Sequence, residues 1–159
     1  MDVEKVQSVN VWPYVGFYSL MTISLTVAFM GILFMFPTLT DSFGHASSFV
    51  TPFGSTSFAS YKFVRRNGRL FNRNEYWKIT LFSSLAAYLV SLLLVGLAVA
   101  GRAIPGSGAI SPVGWVFILL FGGLLIFAFN AAGYSSRMGK SFLKVELARQ
   151  ARINAETFQ

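Results

Sequence analysis

Four arginines fall within nine positions, Arg65, Arg66, Arg69 and Arg73, in the stretch Phe63–Trp77 (FVRRNGRLFNRNEYW). A guanidinium offers a planar fork of donors that matches phosphate and carboxylate oxygens. Close to an anionic surface each contributes on the order of 1 kcal/mol. These four are therefore the candidate contacts to anionic lipid headgroups or to an acidic partner. The same stretch carries Asn72 and Glu75 at the spacing of a capping box. There an asparagine oxygen accepts the free amide three residues on, and the glutamate reaches back. A helix is thus predicted to begin near Arg73. Asn67-Gly68, just after Lys62, Arg65 and Arg66, has the form of a helix ending. Cations sit near the negative pole, followed by a glycine able to turn left-handed.

Other chemistry is thinly represented. The chain has no cysteine, one histidine and six scattered carboxylates. Thiol catalysis, disulfides and iron–sulfur clusters are excluded, and no metal site is expected. His45 is expected beside Asp41 as a solvated pair, and no serine has a histidine and carboxylate within plausible reach. No catalytic residue and no cofactor are assigned. The Gly106-Ser107-Gly108 turn follows no strand, so it is not read as a phosphate cradle.

The elements that must position the arginines are hydrophobic. The 159-residue chain is 54% hydrophobic and 12% charged, too apolar for an ordinary soluble domain. Trp77–Ala100 carries no charge after Lys78. As a helix it reaches about 36 Å, enough for a hydrocarbon core of about 30 Å. Trp12–Phe36 and Pro112–Ser135 have the same character. The first run is too long for a secretory leader and ends at Pro37 without a cleavage site, so it is expected to remain as a span. His45–Val64 is richer in Ser, Thr and Gly and contains Pro52. It is predicted as a short, polar second span, with a re-entrant or interfacial helix as the alternative.

The expectation is thus an all-α polytopic membrane bundle of four transmembrane helices over about 12–36, 46–66, 74–100 and 112–135. A basic cytoplasmic tail helix follows at 137–159. With both termini inside, twelve of the thirteen cations lie on the cytoplasmic side and only Arg102 outside, a strong positive-inside bias. Lipid topology accounts for the net charge of +7 more simply than nucleic acid, for which no binding motif is present. Trp12, Tyr14, Tyr18, Tyr76, Trp77, Trp115 and Tyr134 fall near span ends, where amphipathic rings anchor.

Small residues mark the faces on which spans should pack, because lipid tails give helices no hydrophobic reason to associate. On the third span these are Ser84, Ala87 and Ser91, followed by Ala98. On the fourth they are Gly123, Asn130 and Gly133. Asn130 is the one amide deep in a span, and an interhelical hydrogen bond is expected there. Mid-span ionisable groups, the usual mark of pumps and ion-coupled carriers, are missing from the first, third and fourth spans.

A helix running into FVRRNGR, a polar turn and a glutamate-led apolar helix, best matched over Ser57–Val95, resembles a family of short bacterial inner-membrane proteins of uncharacterised function. The resemblance implies four spans, a bacterial inner membrane and a basic loop between the second and third spans. It carries no activity. The functional expectation is a non-enzymatic inner-membrane protein acting through helix–helix and lipid contacts. It would be an accessory subunit of a membrane complex or an immunity-type protective protein, with a protein partner or a second copy of itself. The alternative is an oligomeric channel or small-solute transporter lined by Ser and Thr of the first two spans.

Overall fold

The computed structural model describes residues 9–102 and 106–157, the side chains of residues 39–46, 48 and 157 excepted. Lys5 and the side chains of Asp41 and His45, with the pair expected between those two, therefore lie outside what is described. Helices α1 (Trp12–Met35), α2 (Thr40–Asn67), α3 (Arg73–Ala100), α4 (Pro112–Gly133) and α5 (Ser136–Thr157) make up the chain, with short 3-10 turns at Pro37–Leu39 and Ser107–Ala109. The described residues contain no strand. Three stretches are long and apolar enough to cross a membrane: Trp12–Met35, Arg73–Ala100 and the run Pro112–Glu156 in which α4 and α5 follow one another.

Local chemistry explains most boundaries. Pro13 lies in the first turn of α1, where its missing N–H costs nothing. Gly68 takes φ +63° and donates its N–H to the Val64 carbonyl, closing α2. Asn72 caps α3 through the full reciprocal box: its side chain accepts from the Glu75 N–H at 2.8 Å, and Glu75 accepts from the Asn72 N–H at 2.9 Å. Ser111 accepts from the Gly114 N–H at the start of α4, with Pro112 at the first helical position.

The second helix departs from expectation in length. It starts at Thr40 instead of residue 46 and runs unbroken for 28 residues, about 42 Å at helical rise. The helix continues through Pro52 while the Thr56 hydroxyl donates to the Pro52 and Phe53 carbonyls at 2.8 and 3.1 Å. Such back-bonding occupies carbonyls near a proline. Because α2 begins so early, the α1–α2 connection reduces to Phe36 and one 3-10 turn.

The helices close a ring. α1 packs on α2 and α3, and α4 packs on α2 and α3, so the order around the bundle is α1, α2, α4, α3. α5 leaves α4 after Tyr134 and Ser135 and lies against α2. Phe142 stands edge-on to Tyr61 of α2, and Gly139 meets Leu70 in the hairpin that follows α2.

Polarity is inverted relative to a water-soluble bundle. Ser55, Thr56, Ser60, Thr80, Ser83, Ser84 and Asn130 are buried, while Leu20, Val27, Phe34, Phe58, Leu89, Leu93, Phe117 and Leu120 face outward. In water, large apolar side chains left outside in such number forgo the main driving force of folding. In hydrocarbon they lose nothing, and buried hydroxyls and amides hold helices together.

Burial is also confined to one half of the bundle. Among the described side chains, buried positions run up to Thr22 in α1, from Ser55 in α2, up to Ala87 in α3 and from Asn130 in α4. This is the half next to the arginine hairpin. In the other half the four helices separate around a cavity of about 490 Å³.

Candidate functional site: the arginine hairpin and the open half

Glu75 organises the basic end. Although a carboxylate, it is only 1% exposed, and burial of such a group is tolerated only with full pairing. Its Oε1 accepts from the Val9 N–H and Arg69 Nη2, both at 2.7 Å. Its Oε2 accepts from Arg69 Nη1 at 2.8 Å and from the Asn72 N–H at 2.9 Å. Arg69 thus grips the carboxylate with both prongs, and Nη1 also donates to the Leu70 carbonyl at 3.0 Å. The hydrogen bond from its guanidinium to Glu75 raises the Arg69 pKa above its ordinary value. One glutamate therefore caps α3, anchors the segment entering α1 and turns the hairpin inward.

Aromatic rings complete the joint. Phe63 stacks on Phe71 with centroids 4.0 Å apart and meets the edge of Tyr14 at 5.1 Å. The Arg69 guanidinium stands 5.5 Å from the Phe63 ring, and Lys62 sits 3.9 Å above Phe17. Asn67 Nδ2 donates to the Tyr14 hydroxyl at 2.9 Å and to the Phe63 carbonyl at 2.8 Å.

The four arginines grouped by sequence consequently part company. Arg65, Arg66 and Arg73 are exposed, whereas Arg69 is directed into the protein. Only the first three offer their charge to an outside partner. The Arg69–Glu75 pair is the functional-looking contact that sequence reading missed. The capping box located Glu75, but nothing in the spacing distinguished Arg69 from its neighbours.

Above the hairpin lies a layer of polar contacts between helices. Thr22 Oγ1 donates to Ser55 Oγ at 3.0 Å, joining α1 to α2. Ser83 Oγ and the Tyr134 hydroxyl are 3.0 Å apart, and Asn130 Nδ2 donates to Ser84 Oγ at 3.2 Å, joining α3 to α4. The Tyr76 hydroxyl donates to the Ala131 carbonyl at 3.0 Å. The small residues named from sequence sit here and just beyond. Ser84 and Ala87 are buried, and Ser91 lines the cavity. Gly123 faces the Tyr88 ring, which would stand 3.2 Å from an added Cβ. At Gly133 an added Cβ would overlap the Thr56 side chain, so this glycine marks the close approach of α4 to α2.

Beyond this layer the cavity opens. Tyr18 and Thr22 stand at its closed end, and its walls include Phe29, Val90, Gly122 and Phe129. Thr26, Ser47, Thr51 and Ser91 add hydroxyls, and among the described residues that line it none is charged. Its volume lies within the roughly 300–1,000 Å³ typical of ligand sites. Among the described residues no group of three or more His, Asp or Glu could hold a metal ion.

Compared with family models, with curated proteins and with solved structures, the chain matches none.

Proposed function

We propose that this chain is a non-enzymatic integral membrane protein that works by helix–helix and lipid contacts. It serves as an accessory subunit of a membrane complex or as a protective, immunity-type protein. In this reading α2 is the fourth span, since its length equals that of α3 and its polar face turns inward while Phe49, Val50 and Phe58 turn outward. The hairpin and both ends are then cytoplasmic, in a bacterial inner membrane; the cations of the hairpin and the tail support the side given to those two segments.

One observation carries the proposal: among the described side chains the buried core lies in the basic half of the bundle, and the other half opens into a cavity between the helices. Glu75 is meanwhile spent on architecture, accepting from Arg69, Val9 and Asn72. An opening flanked by small residues, with no charged side chain among the described residues that line it, suits a hydrophobic helix of a protein partner or of a second copy. The test is site-specific photocrosslinking from Ser91 and Gly122 in native membranes, followed by identification of the adducts. A discrete protein adduct from both positions is the expected result, the one from Ser91 being lost when Gly122→Leu fills the opening. Adducts to lipid alone would overturn the helix-contact reading.

A second reading has a specific observation in its favour. Thr22, Thr26, Ser47 and Thr51, all from α1 and α2, line the cavity, as a hydroxyl-lined channel or small-solute transporter would require. The Thr22–Ser55 bond and the Asn130–Ser84 and Ser83–Tyr134 contacts close its inner end. Solute flux from liposomes carrying purified protein would favour this reading over the accessory one.

A further inference from the structure

α5 presents two stripes with opposite fates. Gly139, Phe142 and Glu146 are spaced three and four residues apart, share one face and are turned inward. Glu146 is only 6% exposed. Arg137, Lys140, Lys144 and Leu147 have the same spacing, shifted by two residues. At about 100° per residue the shift places them about 200° round the helix, on the far side. All four are exposed, Leu147 by 55%. No carboxylate interrupts this outer stripe: Glu146 belongs to the inner face, 3.7 Å from Arg149, and Glu156 lies beyond it. The helix begins three residues after the end of the most apolar span, beside the exposed Arg73 and the end of α2 that carries Arg65 and Arg66.

We propose that the outer stripe of α5 is a docking surface for the anionic headgroups of the membrane that holds the bundle. Arg137, Lys140 and Lys144 engage lipid phosphates, and Leu147 reaches the acyl boundary. This rests on the membrane reading above and adds a surface to it. Charge complementarity selects the occupant: three cations with no ion-pair partner among the described residues, ending in an apolar side chain, suit an anionic interface. Each cation favours docking by about fivefold near such a surface, so the three together shift the docked-to-undocked ratio by about a hundredfold. The attraction is screened by salt over about 8–10 Å at ordinary ionic strength.

The absence of cysteine from the chain makes single-site spin labelling direct. Full-length Leu147→Cys and, separately, Leu120→Cys are labelled and placed in nanodiscs of phosphatidylcholine alone or with phosphatidylglycerol. Accessibility to a water-soluble relaxant is then measured. The label at 147 is expected to become several-fold less accessible when phosphatidylglycerol is present, and to lose that protection in high salt or in Arg137→Gln/Lys140→Gln/Lys144→Gln. Equal accessibility in both discs, or protection that survives the triple substitution, overturns the proposal. The label at 120, on the outward face of α4, reports the underlying reading separately. It stays shielded in both discs if the bundle is in the bilayer, whatever α5 does, and its exposure to water would defeat the membrane reading itself.

Discussion

Removing the Arg69 side chain is the most informative single perturbation. Arg69→Ala leaves Glu75, 1% exposed, as a buried anion holding only the backbone donors Val9 and Asn72. Losing one partner of a buried pair costs about 3–5 kcal/mol, because the remaining charge is stranded. In a chain of this size that corresponds to a fall in Tm of about 6–20 °C. Arg65→Ala and Arg66→Ala remove exposed cations and should stay within about 0.5 kcal/mol. Arg69→Lys should recover only part of the loss, since an ammonium cannot supply the two-pronged contact. Unfolding of the purified protein in mixed micelles, followed through Trp12 and Trp77 near the joint, measures all four variants. If Arg69→Ala unfolds with Arg65→Ala, the carboxylate is not held as described and the reasoning about the hairpin is wrong.

Other substitutions test the packing and the caps. Gly133→Ala should destabilise the bundle by about 1–3 kcal/mol through overpacking on Thr56, and Thr56→Ala should relieve part of it in a double-mutant cycle. Gly122→Ala, where an added Cβ meets nothing within 4 Å, should be nearly silent in the same unfolding assay. Asn130→Ala breaks the α3–α4 bond to Ser84 and should cost roughly 0.6–2 kcal/mol, the scale of interhelical polar contacts in membranes. At the hairpin, Gly68→Ala places a Cβ at φ +63° and should cost about 1–2 kcal/mol. Asn72→Ala removes the α3 cap, a loss of about 1 kcal/mol. Hydrogen exchange of the Glu75 amide should quicken in Asn72→Ala.

Local signals were legible wherever neighbours in sequence settle the geometry. The capping box at Asn72 and Glu75, the glycine stop at Gly68 and the apolar lengths of α1, α3 and α4 all operate within a few residues or on composition. The start of α2 was not legible, because Thr40 and its neighbours carry turn-forming types that a packed helix can override. The separate fate of Arg69 was equally hidden. It depends on Phe63, Phe71 and the segment at Val9 meeting around Glu75, and these lie up to 66 residues apart in the chain.

From its residues alone the chain determines that it forms apolar helices, where two of them are capped and which loop gathers the arginines. Each is a property of adjacent side chains and of the solvent they prefer. The tertiary structure decided that α4 stands between α2 and α3, that polar side chains turn inward, and that only the basic half is cored. Those outcomes depend on which helical faces meet. In the first and fourth helices, which are apolar round most of their circumference, small and polar residues mark a packing face but do not say which neighbour will cover it. Only the close approach at Gly133 and the few buried polar bonds select one arrangement.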